Sequence, residues 1–155
     1  MFDEIVLAIG HNPDKRPLFT MTERATMAEA AIRSAVDPES RNIRVETYEG
    51  LTVDFARRVG ACAIIRGIRN VTDLAGESQL AITNRKVAGI ETVFIVSGEE
   101  YAYTSSSLIR QMAALGATLD QLSGFVPPVV LDAIRDKQAD PAHPLGALRR
   151  DGLVD

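Results

Sequence analysis

Apolar and polar positions along the chain switch repeatedly between two periods. Short continuous or alternating apolar runs rich in β-branched residues read as strands at 4–9 (EIVLAI), 43–48 (IRVETY), 62–65 (CAII) and 92–96 (TVFIV). The first and third read as buried on both faces, and Cys62 within the third reads as an inert core residue. Segments with helical spacing lie between them. Thr20-Met-Thr-Glu23 has the form of a capping box, in which hydroxyl and carboxylate each bond the other residue's amide, and it predicts a helix to about residue 35 with Ala25, Met27, Ala28, Ala31 and Ile32 on its apolar face. A short helix over 51–59 is closed by Gly60, and a longer one over 71–88 is stopped by Gly89. Thr104, Ser105, Ser106 and Ser107 offer N-caps for a helix to about 115, stopped by Gly116, and Pro127-Pro128 opens a final helix to about 137.

Strands that alternate with helices predict parallel pairing through right-handed crossovers, hence an α/β fold with an open parallel sheet and helices on both faces. The predicted domain spans 1–138, and 139–155 reads as a surface or flexible tail. Ligands of such sheets bind beyond the carboxyl ends of the strands. That rule selects the loops at 10–19, 49–52, 66–69 and 96–107, which hold most of the chemically useful side chains.

Composition narrows the class. The 155 residues are 46% hydrophobic and 25% charged with a net charge of -4, which leaves no global basic field for a nucleic acid or an anionic membrane. Any anion must be held locally. One cysteine and two histidines, His11 and His143, exclude a disulfide framework and a zinc-type cluster, and the composition suits a reducing, cytoplasmic setting. No apolar run approaches the roughly 20 residues of a membrane-spanning helix.

Three constellations stand at the selected edge. Lys15 and Arg16, between two prolines in the first loop, could clamp a phosphate, although a solvated surface loop is the plainer reading of that segment alone. Arg66-Gly67-Ile68-Arg69 directly follows a strand, so the backbone can approach a ligand flanked by two guanidiniums, and the alternative is pairing with Asp73 and Glu77 on the next helix. Thr104-Ser105-Ser106-Ser107 with Arg110 joins free helix-terminal amides, hydroxyls and a full positive charge. Tyr101 and Tyr103 just upstream could stack on a base or cover a core edge. Spacing alone therefore points to an α/β anion-binding domain, for a phosphorylated or nucleotide ligand.

The segments KRPLFTMTER, GLTVDFARRVGACAIIRGIRNVTDL, ESQLAITNRKVAGIETVFI and YTSSSLIRQMAALGATLDQLSGFVPPVV, in order from about residue 2 to 137, resemble the bacterial phosphopantetheine adenylyltransferase family of the nucleotidylyltransferase superfamily. The resemblance implies a Rossmann-like nucleotidylyltransferase fold. It also implies transfer of an adenylyl group from ATP to 4′-phosphopantetheine, giving dephospho-coenzyme A and pyrophosphate, with Mg2+ accompanying ATP and a homohexameric assembly. By the same resemblance Lys15, Thr52 and Arg66 bind the acceptor, Thr52 largely through its backbone, and Lys15 and Arg69 are the catalytic pair. Gly67, Ile68, Arg69, Glu77, Tyr101, Ala102, Tyr103, Thr104, Ser105, Ser106, Ser107 and Arg110 bind ATP.

Two departures accompany the likeness. The family's first strand, its GTFDP-type loop and its T/HxGH signature have no counterpart, so the sequence starts at what would be the second strand, and the expectation is a sheet lacking that strand. A non-catalytic nucleotide- or phosphopantetheine-binding module is the second reading. Locally, Leu74-Ala75-Gly76-Glu77 stands where the family has an aromatic pair around acids, and Gly76 inside a helix costs about 1 kcal/mol against alanine.

Overall fold

The computed structural model describes residues 2–11, 17–36, 42–102, 104–140, 142, 143 and 145. The elements run β1 (Ile5–Gly10), α1 (Met21–Ala35), β2 (Ile43–Tyr48), α2 (Thr52–Arg58), β3 (Ala63–Ile68), α3 (Val71–Ala88), β4 (Glu91–Val96), a 3-10 turn (Glu99–Tyr101), α4 (Ser106–Ala114), α5 (Leu119–Leu122) and α6 (Pro128–Ala139). The architecture is α/β with parallel strands, as the alternation predicts. The strands form two two-stranded sheets, β1 with β2 and β3 with β4. β3 and β4 run parallel in register from Ala63 opposite Glu91 to Ile68 opposite Val96. The bonds Ile5 N–H to Asn42 O (2.8 Å) and His11 N–H to Tyr48 O (3.3 Å) advance together along both chains, as in a parallel pair.

The chain divides into two compact units, one of residues 1–7, 16–45 and 104–155, the other of 8–15 and 46–103. The core of the first gathers Ile109 and Ala113 from α4, Leu122 from α5, Ile134 from α6 and Leu145, with Leu122 and Ile134 fully buried. Leu18, Phe19, Met112, Val130 and Leu131 pack around it. The Thr20–Glu23 capping box forms as predicted: Thr20 N–H donates to Glu23 Oε2 at 2.7 Å and Glu23 N–H to Thr20 Oγ1 at 3.2 Å. Lys137 of α6 closes on the same Glu23 carboxylate at 2.6 Å, so one residue caps α1 and ties it to α6. In the second unit α2 buries Val53, Phe55 and Ala56, and α3 packs beside β3 and β4.

Three expectations need correction. Neither β1 nor β3 is buried on both faces: in β1 only Ile9 is buried and Leu7 is 42% exposed, and in β3 only Ile68 is buried and Ile65 is exposed. Each strand has one bonded neighbour among the described residues, so an apolar run meant for a sheet interior meets solvent on its open side. Cys62 is exposed and precedes β3 rather than lying in it. β3 also reaches further than predicted, which places Arg66 and Gly67 inside the strand, opposite Phe94 and Ile95, and leaves only Arg69 beyond its end. α5, absent from the sequence reading, is nucleated by a second capping box between Thr118 and Gln121. The 18-residue α3 buries none of its residues, and Val71, Leu74, Leu80, Ile82 and Val87 are exposed. No helix among the described residues is long and apolar enough to cross a membrane.

Candidate functional site

The predicted site residues fall in both units. Thr52, Arg66, Gly67, Ile68, Arg69, Glu77, Tyr101 and Ala102 belong to the second, and Thr104, Ser105, Ser106, Ser107 and Arg110 to the first. Lys15, Arg16 and Tyr103 lie outside the described residues.

In the second unit the β3 end is built around two arginine forks. Arg66 donates from Nε (2.7 Å) and Nη2 (2.6 Å) to the two oxygens of Glu77 on α3, a bidentate pair across eleven residues. These charge-assisted bonds raise the Arg66 pKa against the opposing effect of partial burial. Glu77, which a sequence reading leaves to solvent, has a side chain only 19% exposed. Arg69 grips Asp73 one turn into α3, with Nε to Oδ2 at 2.8 Å and Nη2 to Oδ1 at 3.3 Å, while its own N–H reaches Oδ2 at 3.3 Å. That grip raises the Arg69 pKa and, through the same hydrogen bonds, lowers that of Asp73. Asn70 caps α3 by accepting from the Asp73 amide at 2.9 Å, which fixes the turn carrying Arg69.

The pairing alternative considered for both arginines is thus realised. Both guanidiniums remain charged at the carboxyl edge of β3, each held in place by one acid. Gly67 sits where a Cβ would come 3.7 Å from Ser97 Oγ, an ordinary contact. Ile68 is buried and its carbonyl accepts from Ser97 N–H at 2.9 Å, which continues the β3–β4 ladder into the next loop. Tyr101 ends the 3-10 turn with its side chain largely in solvent, and the Ala102 amide bonds Glu99 O.

Thr52 opens α2. Its Oγ1 lies 2.7 Å from Tyr48 Oη, and the ring of Tyr48 stacks on Phe55 with centroids 4.6 Å apart. Gly50, at φ 84°, takes the left-handed turn that links β2 to α2 in four residues. Tyr48 is the site-adjacent residue that the sequence reading missed; an aromatic hydroxyl four residues before a threonine, across a Gly turn, was the available signal.

In the first unit Ser105 is the N-cap of α4, its Oγ accepting from Leu108 N–H at 3.1 Å. Ser106 and Ser107 are the first helical residues and are exposed, so their amides and hydroxyls form the positive end of the helix. Arg110 folds back over that end: Nε donates to Ser106 O at 3.1 Å and Nη2 to Ser107 Oγ at 3.2 Å. Serine cap and arginine therefore meet at one helix terminus. A cleft of about 510 Å³ between α1 and α6 is lined by Glu23, Asp132, Asp136, Asp140 and neighbours, and it holds none of the predicted site residues.

No group of three or more His, Cys, Asp and Glu among the described residues could hold a metal ion. The charged groups at the two strand- and helix-end sites are cationic or neutralised by cations.

The Cytidylyltransferase-like family model matches residues 1–112. A phosphopantetheine adenylyltransferase of Rhodopirellula baltica is 42% identical over 143 residues, 92% of this chain and 77% of the relative. One of Heliobacterium modesticaldum is 43% identical over 141 residues, 90% and 79% of the two chains, and one of Chloroflexus aurantiacus is 41% identical over 140 residues, 90% and 82%. With such identity across nine-tenths of its length, the chain belongs to the phosphopantetheine adenylyltransferase family of nucleotidyltransferase enzymes.

Proposed function

We propose that this chain transfers the adenylyl group of ATP to 4′-phosphopantetheine, yielding dephospho-coenzyme A and pyrophosphate, a step of coenzyme A biosynthesis. The observation that carries this reading is the pair of charged forks at the β3 edge in a chain so similar to enzymes of that name. Phosphate attack on the ATP α-phosphorus forms one P–O bond and breaks the bond to pyrophosphate, with no covalent enzyme intermediate. The protein's contribution is then alignment and relief of repulsion between two anions.

The residues divide that work. Lys15 and Arg66 neutralise the acceptor phosphate, and Thr52 holds the acceptor arm. Arg69 meets the ATP phosphates, with Lys15 the second member of the catalytic pair. Gly67 and Ile68 offer backbone, Glu77 contacts ATP, and residues 101–107 with Arg110 cradle the nucleotide at the α4 terminus. For Arg66 and Arg69 to present the Nε–Nη2 edge to phosphate, each must exchange an acid for it. Mg2+ would accompany ATP as part of the substrate and would offset charge on its phosphates.

A homohexamer is part of the same proposal. The exposed apolar residues of α3 support burial against another copy of the chain, because a helix that leaves Val71, Leu74, Leu80, Ile82 and Val87 in solvent is a poor solution for a monomer. The cytoplasm is the proposed location, on the strength of the single cysteine. The binding-only reading is not favoured by relatives whose names describe a transferase.

Steady-state kinetics test the assignment of sides. Lys15→Ala and Arg66→Ala should raise KM for 4′-phosphopantetheine more than KM for ATP, whereas Arg69→Ala should abolish transfer. Equal effects of all three on ATP alone would assign the acceptor to another group of residues.

A further inference from the structure

Tyr48 is positioned by three contacts that the proposed reaction does not yet use. Its ring lies against Phe55, which is buried and carries the Arg58 guanidinium 5.1 Å from its centroid on α2. Gly10, at the end of β1, leaves room for the tip of that ring: a Cβ there would stand 2.7 Å from both Cζ and Oη of Tyr48. The backbone is fixed as well, since the Tyr48 carbonyl accepts from His11 N–H at 3.3 Å. The phenol therefore has one place to be, and in that place Oη is 2.7 Å from Thr52 Oγ1.

We propose that Tyr48 is a positioning residue for the acceptor substrate: it fixes the Thr52 hydroxyl and forms with it a clamp that donates one hydrogen bond to a carbonyl oxygen of the amide-bearing acceptor arm. Two hydroxyls carry two protons. One is spent in the bond between Oη and Oγ1, and the other is left for an outside acceptor, whichever oxygen donates internally. An exposed threonine alone would divide its hydroxyl among rotamers and water. Held by a stacked phenol, it is preorganised, and less entropy is lost when the arm binds. Tyr48, Thr52 and Arg66 all belong to the second unit.

This assignment rests on the acceptor-side reading of Thr52, and the test separates the two. KM for 4′-phosphopantetheine, KM for ATP, kcat and calorimetric binding of 4′-phosphopantetheine are measured for wild type, Tyr48→Phe, Thr52→Val, the double variant and Gly10→Ala, with Tm recorded for each. Tyr48→Phe keeps the stacked ring and loses only the hydroxyl. It should raise KM for 4′-phosphopantetheine about two- to tenfold, the worth of one hydrogen bond, with kcat and KM for ATP unchanged. The double variant should bind the acceptor no worse than the worse single one, because the two hydroxyls act as a unit. Gly10→Ala, which pushes the ring tip away, should mimic Tyr48→Phe.

Normal turnover with an unchanged acceptor KM in Tyr48→Phe, even with a lowered Tm, overturns the positioning role and leaves the proposed function intact. So does an effect of Thr52→Val to which Tyr48→Phe adds independently. A wild-type protein that neither turns over nor binds 4′-phosphopantetheine overturns the proposed function and the clamp together.

Discussion

Replacing Glu77 by glutamine separates the two roles that the fold assigns to one carboxylate. Glu77 holds Arg66 through two bonds of 2.6 and 2.7 Å, and the proposed function also gives it a contact with ATP. Charge-assisted bonds reach about 1.5–3 kcal/mol each when shielded, but the Arg66 side chain is 47% exposed, so solvent screening brings the pair down to about 1 kcal/mol. Glutamine preserves the shape and one acceptor oxygen and removes the charge. Stability should fall by about 1 kcal/mol or less, a loss of roughly 3 °C in Tm for a chain of this size. The same energy no longer has to be displaced when phosphate takes the guanidinium, so KM for 4′-phosphopantetheine should fall by up to about fivefold. KM for ATP should move the other way. Steady-state kinetics with each substrate varied at saturation of the other, beside calorimetric melting, read all three quantities. A rise in both KM values would refute the reasoning, because Glu77 would then be presenting Arg66 to the phosphate rather than competing with it.

Gly76→Ala should stabilise the isolated chain by about 1 kcal/mol, since Gly76 lies inside α3, has no positive φ and has open space where the Cβ would go. A lowered Tm, with sedimentation showing loss of an assembly, would mean that another copy packs on that spot. Glu23→Gln tests the α1–α6 tie by pH. The Lys137 ammonium, followed by the Thr20 amide, depresses the Glu23 pKa below 4.5, so the stability it contributes is present above that value and lost as pH falls through the depressed one. The Tm gap between wild type and variant should be widest above about pH 5 and close as the pH falls through the depressed Glu23 pKa; a gap independent of pH would show that charge plays no part in the tie.

Local rules were legible residue by residue. The Thr20–Glu23 box and the glycines at 60, 89 and 116, all with φ between 67 and 82°, set helix ends through steric and hydrogen-bonding preferences that need no tertiary context. Arg69–Asp73 was legible for the same reason, being four apart on the way into a helix. Arg66–Glu77 required the fold to bring α3 over β3. The extent of β3 was hidden because arginine and glycine weaken a strand signal, yet their backbone groups pair with Phe94 and Ile95 all the same.

Burial was harder to read. The apolar run of β1 shows that a strand is suited to a sheet interior, and says nothing of how many neighbours it has; Leu7 is half in solvent as a result. α5 was overlooked because four residues carry no periodicity, although Thr118 and Gln121 spell its cap and Leu122 is wholly buried. Tyr48 escaped because its importance lies in where Gly10, Phe55 and Thr52 converge, and those residues span β1, β2 and α2.

The decisive experiment incubates the protein with Mg–ATP and 4′-phosphopantetheine and follows dephospho-coenzyme A by mass and pyrophosphate by a coupled assay, with Arg69→Ala in parallel. Equimolar appearance of the two products from the wild-type chain, needing both substrates and abolished in Arg69→Ala, is the result expected of this structure. Tight binding of both substrates with no dephospho-coenzyme A, or a rate that Arg69→Ala leaves intact, would contradict it.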